Sequence, residues 1–251
     1  WFYWKMNKKQ IERYSRQIVI KKIGALGQKK IISSKVLIIG AGGLGCPTLD
    51  LLTRAGIGKI GIIDKDKVKL SNIHRQNLYD IKDLNKFKVD VLRKKILRIN
   101  PDIKLKTYKK FLNYKNANRI ISNYDIIVDG SDNFKTKFLL NKYCVRLKKK
   151  LVVGAISKFE GHLFTFDFKN KGSPCLHCFY QSIPTDNILN CEFDGVIGPI
   201  ANLIGSIQSN EVLKFILNIG QNLNGKILVI DLLSLKFKLI KFFKKKKCDC
   251  N

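Results

Sequence analysis

Residues 35–45 read Lys35-Val-Leu-Ile-Ile-Gly40-Ala-Gly42-Gly43-Leu-Gly45, and this stretch decides the fold class. Its first half is a short aliphatic run of the kind found in parallel strands buried on both faces. Its second half has the G-x-G-x-x-G spacing that joins such a strand to a helix. There, backbone N–H groups and the positive end of the helix dipole can approach phosphates. The stretch therefore predicts a nucleotide-binding strand, loop and helix.

The same alternation continues along the chain. Further apolar strands are predicted at 59–64, 124–129 and 150–154, with helical periodicity at about 88–99 and 133–148. Strands that alternate with helices form a parallel sheet covered on both faces, and ligands bind at the carboxyl ends of its strands. We expect an α/β fold with a doubly wound, mostly parallel, Rossmann-like sheet.

The pattern changes after residue 155. Residues 161–168 alternate like an antiparallel strand, 197–218 reads as a buried helix, and 226–231 with 235–243 resembles a terminal antiparallel hairpin. Residues 170–195 have little regular pattern, and such long irregular segments are usually functional. We expect a long crossover loop there, lying over the site.

Composition indicates a globular chain without a membrane span. The 251 residues are 45% hydrophobic and 10% aromatic, which suits one compact domain over 1–251. Residues 1–5 precede Met6 and are left out of the predicted fold, and about residues 1–10 are expected to be disordered or not native. No apolar run reaches the length of a membrane helix and no signal peptide is recognisable, so we expect a soluble cytoplasmic enzyme.

The formal net charge of +29 raises the question of nucleic-acid binding. Lysine is spread through nearly every segment, however, and is not clustered on one stretch. We therefore expect neither a nucleic-acid nor a membrane partner. Long-range attraction of an acidic protein partner remains open.

A glycine loop and an acidic residue at the end of the next strand, here Asp64, are shared with nicotinamide-dependent redox enzymes. The segment that follows Asp64 distinguishes this chain from such redox enzymes. Ser71-Asn72-Ile73-His74-Arg75-Gln76 is polar and cationic, where a dehydrogenase would continue into an ordinary helix. This favours a ligand with more phosphate charge to offset.

Six motifs together resemble the MoeB/ThiF/HesA family of adenylating proteins and occur in the order of that family. They are Arg13-Tyr-Ser-Arg16-Gln17, the glycine loop, Asp64-Lys-Asp66, Ser71-Asn-Ile-His-Arg-Gln76, Lys88 within Lys-Val-Asp, and Asp129-Gly-Ser-Asp132-Asn133. The resemblance extends from about Ile11 to the C-terminus. It implies an ATP-dependent adenylyltransferase that activates the C-terminal glycine of a small ubiquitin-like sulfur-carrier protein with a Gly-Gly tail, for molybdopterin or thiamine synthesis.

The resemblance also implies roles for individual residues. Arg75 and Lys88 would contact the ATP phosphates, Asp132 would hold Mg²⁺, Asn72 would orient the phosphate tail and Asp64 would bind the ribose. The loop glycines Gly40, Gly42, Gly43 and Gly45 would let the backbone approach the nucleotide. Arg16 would reach the ATP site of the neighbouring subunit, which implies a homodimer.

Each of these residues has a simpler interpretation. In a lysine-rich chain Lys88 could be a solvated helix charge, and Arg16 could be an ordinary surface residue. Asp129 and Asp132 could cap the following helix, which is a common use of aspartate at that position. His74 is expected to pack or form hydrogen bonds, since the carrier carboxylate is already ionised at pH 7 and needs no base.

The chain has seven cysteines and no export signal, so disulfides are not expected. Cys175-Leu-His-Cys178 has the spacing of half a zinc site, and Cys248-Asp-Cys250 could complete it, although the second pair is one residue shorter than in similar proteins. Free thiols are the alternative, and His177 is expected to be a bystander. Cys191 matches the position of a thiol that joins the activated carrier in ThiF-like proteins, or is a loop cysteine without a covalent role. Cys46 and Cys144 are expected to pack in the interior.

Three other functions remain as alternatives. One is a nicotinamide-dependent redox enzyme built on the same glycine loop. A second is a scaffold that binds a carrier-like domain without catalysis, which would require loss of the Asn72, Arg75, Lys88 and Asp132 set. A third is an enzyme that activates and dehydrates threonylcarbamoyl adenosine in tRNA, whose usual sequence lacks paired zinc cysteines.

Overall fold

The computed structural model describes residues 6–180, 195–246 and 248. Its helices and strands alternate through the first two thirds of the chain, as the sequence predicts. The helices are α1 Lys8–Arg13, α2 Ser15–Ile18, α3 Gly24–Ser33, α4 Gly45–Ala55, α5 Lys88–Ile99, α6 Ala117–Ile121, α7 Phe134–Arg146, α8 Leu176–Phe179 and α9 Gly198–Leu217. The strands are β1 Lys35–Ile39, β2 Lys59–Ile63, β3 Lys104–Tyr108, β4 Ile126–Asp129, β5 Lys150–Ser157, β6 Glu160–Asp167, β7 Lys226–Asp231 and β8 Lys236–Lys241.

The strands form one sheet of eight in the order β3-β2-β1-β4-β5-β6-β7-β8. Strands β3, β2, β1, β4 and β5 are parallel, and β6, β7 and β8 continue the sheet in antiparallel register. The chain order reverses between β1 and β4, where Ile39 pairs with Asp129. A crevice opens at such a reversal because the helices that follow the two strands cover opposite faces of the sheet.

Two apolar clusters cover the two faces of the sheet. One contains Ile38 and Ile60 with side chains from α3, α4, α5 and α9. The other contains Leu37 and Ile127 with side chains from α6 and α7. Successive residues of β1 thus point into opposite clusters, which is why the strand is apolar without alternation.

The helices that flank the crevice have ordinary local causes. Helix α4 ends at Gly56, whose φ of +94° lies in the left-handed region that favours glycine at a helix C-terminus. Helix α7 begins after Asn133, whose side chain accepts a hydrogen bond from the Thr136 N–H at 2.8 Å. Gly56 thus marks where α4 stops, and Asn133 fixes where α7 starts relative to β4.

The predicted fold class, including the antiparallel C-terminal strands, is confirmed. Strand β3 was missed because lysines interrupt its apolar pattern, at Lys104 and Lys106. Residues 6–10 belong to the fold, in contrast to the expectation for the first ten residues. Asn7 caps α1 and Met6 is buried.

In the predicted crossover segment, residues 170–180 include the short helix α8, and 181–194 lie outside the described residues. The described helices include none that combines the length and apolarity needed to cross a membrane.

Candidate active site

A cavity of about 480 Å³ opens at the carboxyl ends of β1, β2 and β4. Its lining brings together most of the residues that the sequence analysis predicted for a nucleotide site. These are Gly40, Gly42, Gly43, Asp64, Asn72, Arg75, Lys88 and Asp132. They come from segments far apart in sequence and meet only because parallel strands present their carboxyl ends at one edge.

The glycines of the loop have different roles. Gly40 has a φ of +91°, and a Cβ there would lie 2.7 Å from the carbonyl oxygen of Gly130, so the protein itself requires glycine. At Gly42 the nearest atom to an added Cβ would be Gln76 Nε2, at an ordinary 3.7 Å. The space beside Gly42 therefore belongs to the cavity, where a ligand could approach the backbone.

The Asp64 carboxylate ties the end of β2 to the glycine loop. One oxygen accepts a hydrogen bond from the Ala41 N–H at 2.7 Å, and the other accepts one from the Asp66 N–H at 2.7 Å. Burial raises the pKa of Asp64, while Lys88 and these two N–H groups oppose the rise. Asp64 thus holds the shape of the loop and also lines the cavity.

Lys88 is not a solvated helix charge. Its side chain is only 7% exposed, and its ammonium lies 3.6 Å from the Asp66 carboxylate. It is the first residue of α5 and lines the cavity. A buried cation beside a cavity attracts anions more strongly than a solvated one because water screens it less.

Arg75 and Asn72 lie on the segment after β2. Arg75 Nη1 donates to the Ser71 carbonyl oxygen at 2.7 Å and lies 2.7 Å from His74 Nε2. Asn72 is buried, and its Oδ1 accepts a hydrogen bond from the Lys69 N–H at 3.1 Å. The turn thus holds the guanidinium and the amide at the cavity wall, and His74 contacts Arg75, in keeping with its predicted hydrogen-bonding role.

Asp132 is exposed at the cavity, just before α7. The capping interpretation is wrong for it, because the side chain that caps α7 is that of Asn133. Asn133 also donates to the Asp132 carboxylate at 3.2 Å. A carboxylate that faces a cationic cavity without capping duty is suited to hold a divalent cation.

Asp129 has a different environment and is completely buried. One oxygen accepts hydrogen bonds from the N–H and hydroxyl of Ser131, and the other lies 3.0 Å from the Lys137 ammonium. It is therefore no helix cap either. Its carboxylate holds the turn on which Asp132 lies, through the hydrogen bonds from Ser131.

Further lysines give the cavity a positive rim. Besides Arg75 and Lys88, the lining includes Lys65, Lys67, Lys69 and Lys110. These cations outnumber the carboxylates of the lining, and a concave wall with an excess of one charge concentrates ligands of the opposite charge. The site is thus suited to a polyanion such as a nucleoside triphosphate.

Three of the four predicted zinc thiols lie together at another place in the fold. The Sγ atoms of Cys175, Cys178 and Cys248 are separated by 3.6, 4.0 and 3.5 Å. A tetrahedral zinc with Zn–S bonds of about 2.3 Å separates its sulfur ligands by about 3.8 Å, so the spacing fits this metal. Cys250, like Cys191, lies outside the described residues.

The cluster thiol of Cys178 and the interior thiols of Cys46 and Cys144 have different environments. Burial opposes ionisation of Cys178, yet hydrogen bonds from the backbone of Cys175 and Lys245 and from neighbouring thiols lower its pKa. Burial raises the pKa of Cys46 to about 12, so Cys46 packs in the core and is not an activated thiol. Cys144 is buried as predicted. His177 packs against the Phe138 ring, with centroids 4.6 Å apart, and is not part of the thiol cluster.

A family model described as the ThiF family matches residues 14–251. The chain belongs to the ThiF family. An "Adenylyltransferase and sulfurtransferase MOCS3" of Aedes aegypti is 41% identical over 98% of this chain, which spans 56% of that relative. A "Sulfur carrier protein adenylyltransferase" of Thermus thermophilus is 36% identical over 96% of this chain and 90% of its own length. The chain thus spans little more than half of the first of these relatives.

Solved structures agree with the fold. The crystal structure titled E. coli MccB + ATP has a TM-score of 0.82 and 24% identity, and the match covers 95% of this chain and 74% of that one. At this identity the likeness supports the ThiF-type fold alone. The family membership confirms the resemblance that the six motifs predicted.

Arg16 of this ThiF-family chain lies on α2 and is exposed. It is not among the described residues that line the cavity of its own chain. Exposed aliphatic side chains surround it in sequence, including Ile11, Val19, Ile20 and Leu26. The structure therefore places Arg16 at the surface and leaves the surface interpretation open.

Sequence reasoning missed two parts of this ThiF-family site. The segment after β3 lines the cavity with Lys110, Phe111 and Leu112, and β3 itself escaped detection. Lys137 also lines the cavity and is buried. The signal for Lys137 was its spacing from Phe134, Phe138 and Asn141, which puts a lysine on the buried face of α7.

A second groove, of about 560 Å³, adjoins the cavity, since Ala155 and Ile156 line both. Its walls are mostly apolar and come from β5, β6, β7 and α8, with Glu160 and His162 among them. Burial lowers the pKa of His162, which favours its neutral form. The groove is continuous with the cavity at the end of β5.

Proposed function

We propose that this protein is an ATP-dependent adenylyltransferase that activates the C-terminal glycine carboxylate of a small ubiquitin-like sulfur-carrier protein. The observation that carries the proposal is the convergence of Arg75, Lys88 and Asp132 on the open side of the loop at Gly42. The names of the relatives support the same activity. The product would serve molybdopterin or thiamine synthesis.

In the proposed reaction a carboxylate oxygen of the carrier attacks the α-phosphorus of ATP. The bond from that phosphorus to the bridging oxygen breaks, and pyrophosphate leaves with the electron pair. Two anions must approach each other, so the site must offset negative charge. Arg75 and Lys88 do so from fixed positions, and Asn72 orients the phosphate chain.

The nucleotide and its metal fit the residues present. The backbone at Gly42 is open to phosphate oxygens, and Asp64 at the end of β2 can accept hydrogen bonds from the ribose hydroxyls. The exposed Asp132 carboxylate would hold Mg²⁺, because hard cations prefer oxygen ligands. Magnesium, when bound, lowers the negative charge that the attacking carboxylate meets.

The carrier tail would lie in the groove that adjoins the cavity at Ala155 and Ile156. A Gly-Gly tail lacks side chains and can follow a narrow path to the α-phosphate. Positioning of this kind accelerates reaction because it removes the entropy cost of bringing the groups together. The net charge of +29 would favour encounter with an acidic carrier.

A homodimer would account for Arg16. Its exposed position beside Val19 and Ile20 suits an interface, because clustered exposed apolar side chains are costly in a monomer. The Arg16 guanidinium would then complete the ATP site of the partner subunit. Residues 1–251 would act as one adenylating domain within each subunit.

The thiols would hold a structural zinc ion through Cys175, Cys178 and Cys248, with Cys250 as the fourth ligand. A closed site of four thiolates stabilises the fold and does no chemistry. Cys191 stays a prediction as the thiol that joins the activated carrier.

The test is ATP–pyrophosphate exchange with a recombinant ubiquitin-like sulfur carrier that ends in Gly-Gly. Exchange should appear with the intact carrier and vanish with a folded carrier that lacks its last glycine, since the remaining carboxylate cannot reach the α-phosphate. Equal exchange with both carriers, or with ATP alone, would point to another acyl substrate. Binding of a nicotinamide dinucleotide in place of ATP would favour the redox alternative, which the family membership disfavours.

A further inference from the structure

Lys137 is a buried lysine at the cavity wall and has no role in the reaction described above. It lies one turn into α7 and is 3% exposed. Its ammonium donates to the Asp129 carboxylate at 3.0 Å, the Ser131 carbonyl oxygen at 2.8 Å and the Gly154 carbonyl oxygen at 2.7 Å. Three donors meet three acceptors, so its hydrogen-bonding capacity is used in full.

These acceptors belong to three separate pieces of the site. Asp129 ends β4, Gly154 lies on β5, and Ser131 directly precedes Asp132. The Asp129 carboxylate also accepts from the Ser131 N–H at 2.9 Å and from its hydroxyl at 2.6 Å. The main-chain N–H of Ser131 thus donates to Asp129, and the main-chain carbonyl oxygen of Ser131 accepts from Lys137.

The arrangement is more than an internal ion pair. Removing two charges from water offsets most of their attraction, so a buried pair contributes little net stability. What it does contribute here is a fixed position for the turn at Ser131 and Asp132 relative to two strand ends. Side chains that orient a metal-binding carboxylate in this way tune the affinity of the ion.

We propose that Lys137 is a positioning residue for the divalent cation at Asp132. It acts through Ser131 and Asp129, because its ammonium is engaged by protein acceptors. The proposal rests on the proposed function, because it takes Asp132 as the metal ligand.

The test compares ATP binding with and without magnesium by titration calorimetry. Lys137→Met alone would leave the Asp129 charge buried without a partner, so the decisive variant is Lys137→Met with Asp129→Asn. That pair removes both charges and keeps an oxygen for Ser131. Lys150→Met is the control, since Lys150 is partly buried, pairs with Asp167 at 3.8 Å and lies at the far end of β5.

With the ATP affinity of each variant in EDTA as its own baseline, the double variant should need about tenfold more Mg²⁺ than the wild type to reach half of the magnesium effect on ATP binding. Lys150→Met should leave the magnesium requirement unchanged. A folded double variant with the wild-type magnesium requirement would overturn the proposal while the proposed function stands. If magnesium has no effect on ATP binding by the wild type, the proposal for Lys137 is overturned, whereas the proposed function is decided separately by ATP–pyrophosphate exchange. Melting curves of all variants identify any that do not fold.

Discussion

Gly45 lies against the carbonyl group of Gly40, so closely that a Cβ added to Gly45 would collide with the Gly40 oxygen. This contact joins the start of α4 to the end of β1 and makes glycine a requirement of the fold. Gly42, three residues earlier in the same loop, has no such neighbour. The loop therefore contains glycines that the protein itself needs, Gly40 and Gly45, and one that a ligand would need, Gly42.

Alanine substitutions separate these two requirements. Gly45→Ala should destabilise the protein by roughly 3 kcal/mol or more, because backbone atoms must move apart. Gly42→Ala should leave stability within about 1 kcal/mol and weaken ATP binding by at least about tenfold, or about 1.4 kcal/mol. Thermal unfolding and ATP titration measure the two effects. Unchanged ATP affinity in Gly42→Ala would show that phosphate does not approach the loop there.

Asp132→Ala should abolish magnesium-dependent ATP–pyrophosphate exchange and leave the melting temperature close to that of the wild type. The carboxylate is exposed and does not cap α7, so its loss removes little structure. Asp102→Asn is the control, since it changes an exposed aspartate in the turn after α5. Exchange near the wild-type rate in Asp132→Ala would remove this residue from the site.

Arg16→Ala should also lower exchange, although Arg16 does not line the cavity of its own chain. Mixing Arg16→Ala chains with Asp132→Ala chains should restore part of the activity, because half of the sites in a mixed dimer would keep both residues. Differently tagged chains, purified as mixed dimers, make the comparison quantitative. Mixed dimers that stay inactive would argue for a site built from one chain.

Protein purified without chelator should contain about one zinc per chain, as measured by elemental analysis. Cys175→Ser should lose the metal and lower the melting temperature more than the activity per folded molecule, because a closed zinc site contributes folding energy. Cys144→Ser is the control, since Cys144 is equally buried but lies outside the cluster. The Cys144→Ser variant should keep its zinc. A wild-type protein without metal would show that the pair Cys248 and Cys250, which is one residue shorter than in similar proteins, does not complete the site.

Sequence patterns predicted the helices and strands whose apolar surroundings do not change along their length. Helix α5 begins and ends at the predicted residues 88 and 99 because its apolar stripe faces one cluster throughout. Strand β3 escaped prediction because it is the edge strand of the sheet and carries lysines beside its partly buried residues. Edge strands are half solvated, so their composition resembles that of loops.

The sequence by itself determined the fold class and the family and predicted candidate residues for a nucleotide site, because local periodicity and short motifs carry that information. Only the tertiary structure decided which of them act together. Asp129 and Asp132 are three residues apart, yet one is buried against Lys137 and the other faces the cavity. No local pattern distinguishes them, since the difference arises where β4, β5 and α7 meet. The burial and the hydrogen-bond partners of these two carboxylates depend on how β4, β5 and α7 pack together, which the local sequence does not specify.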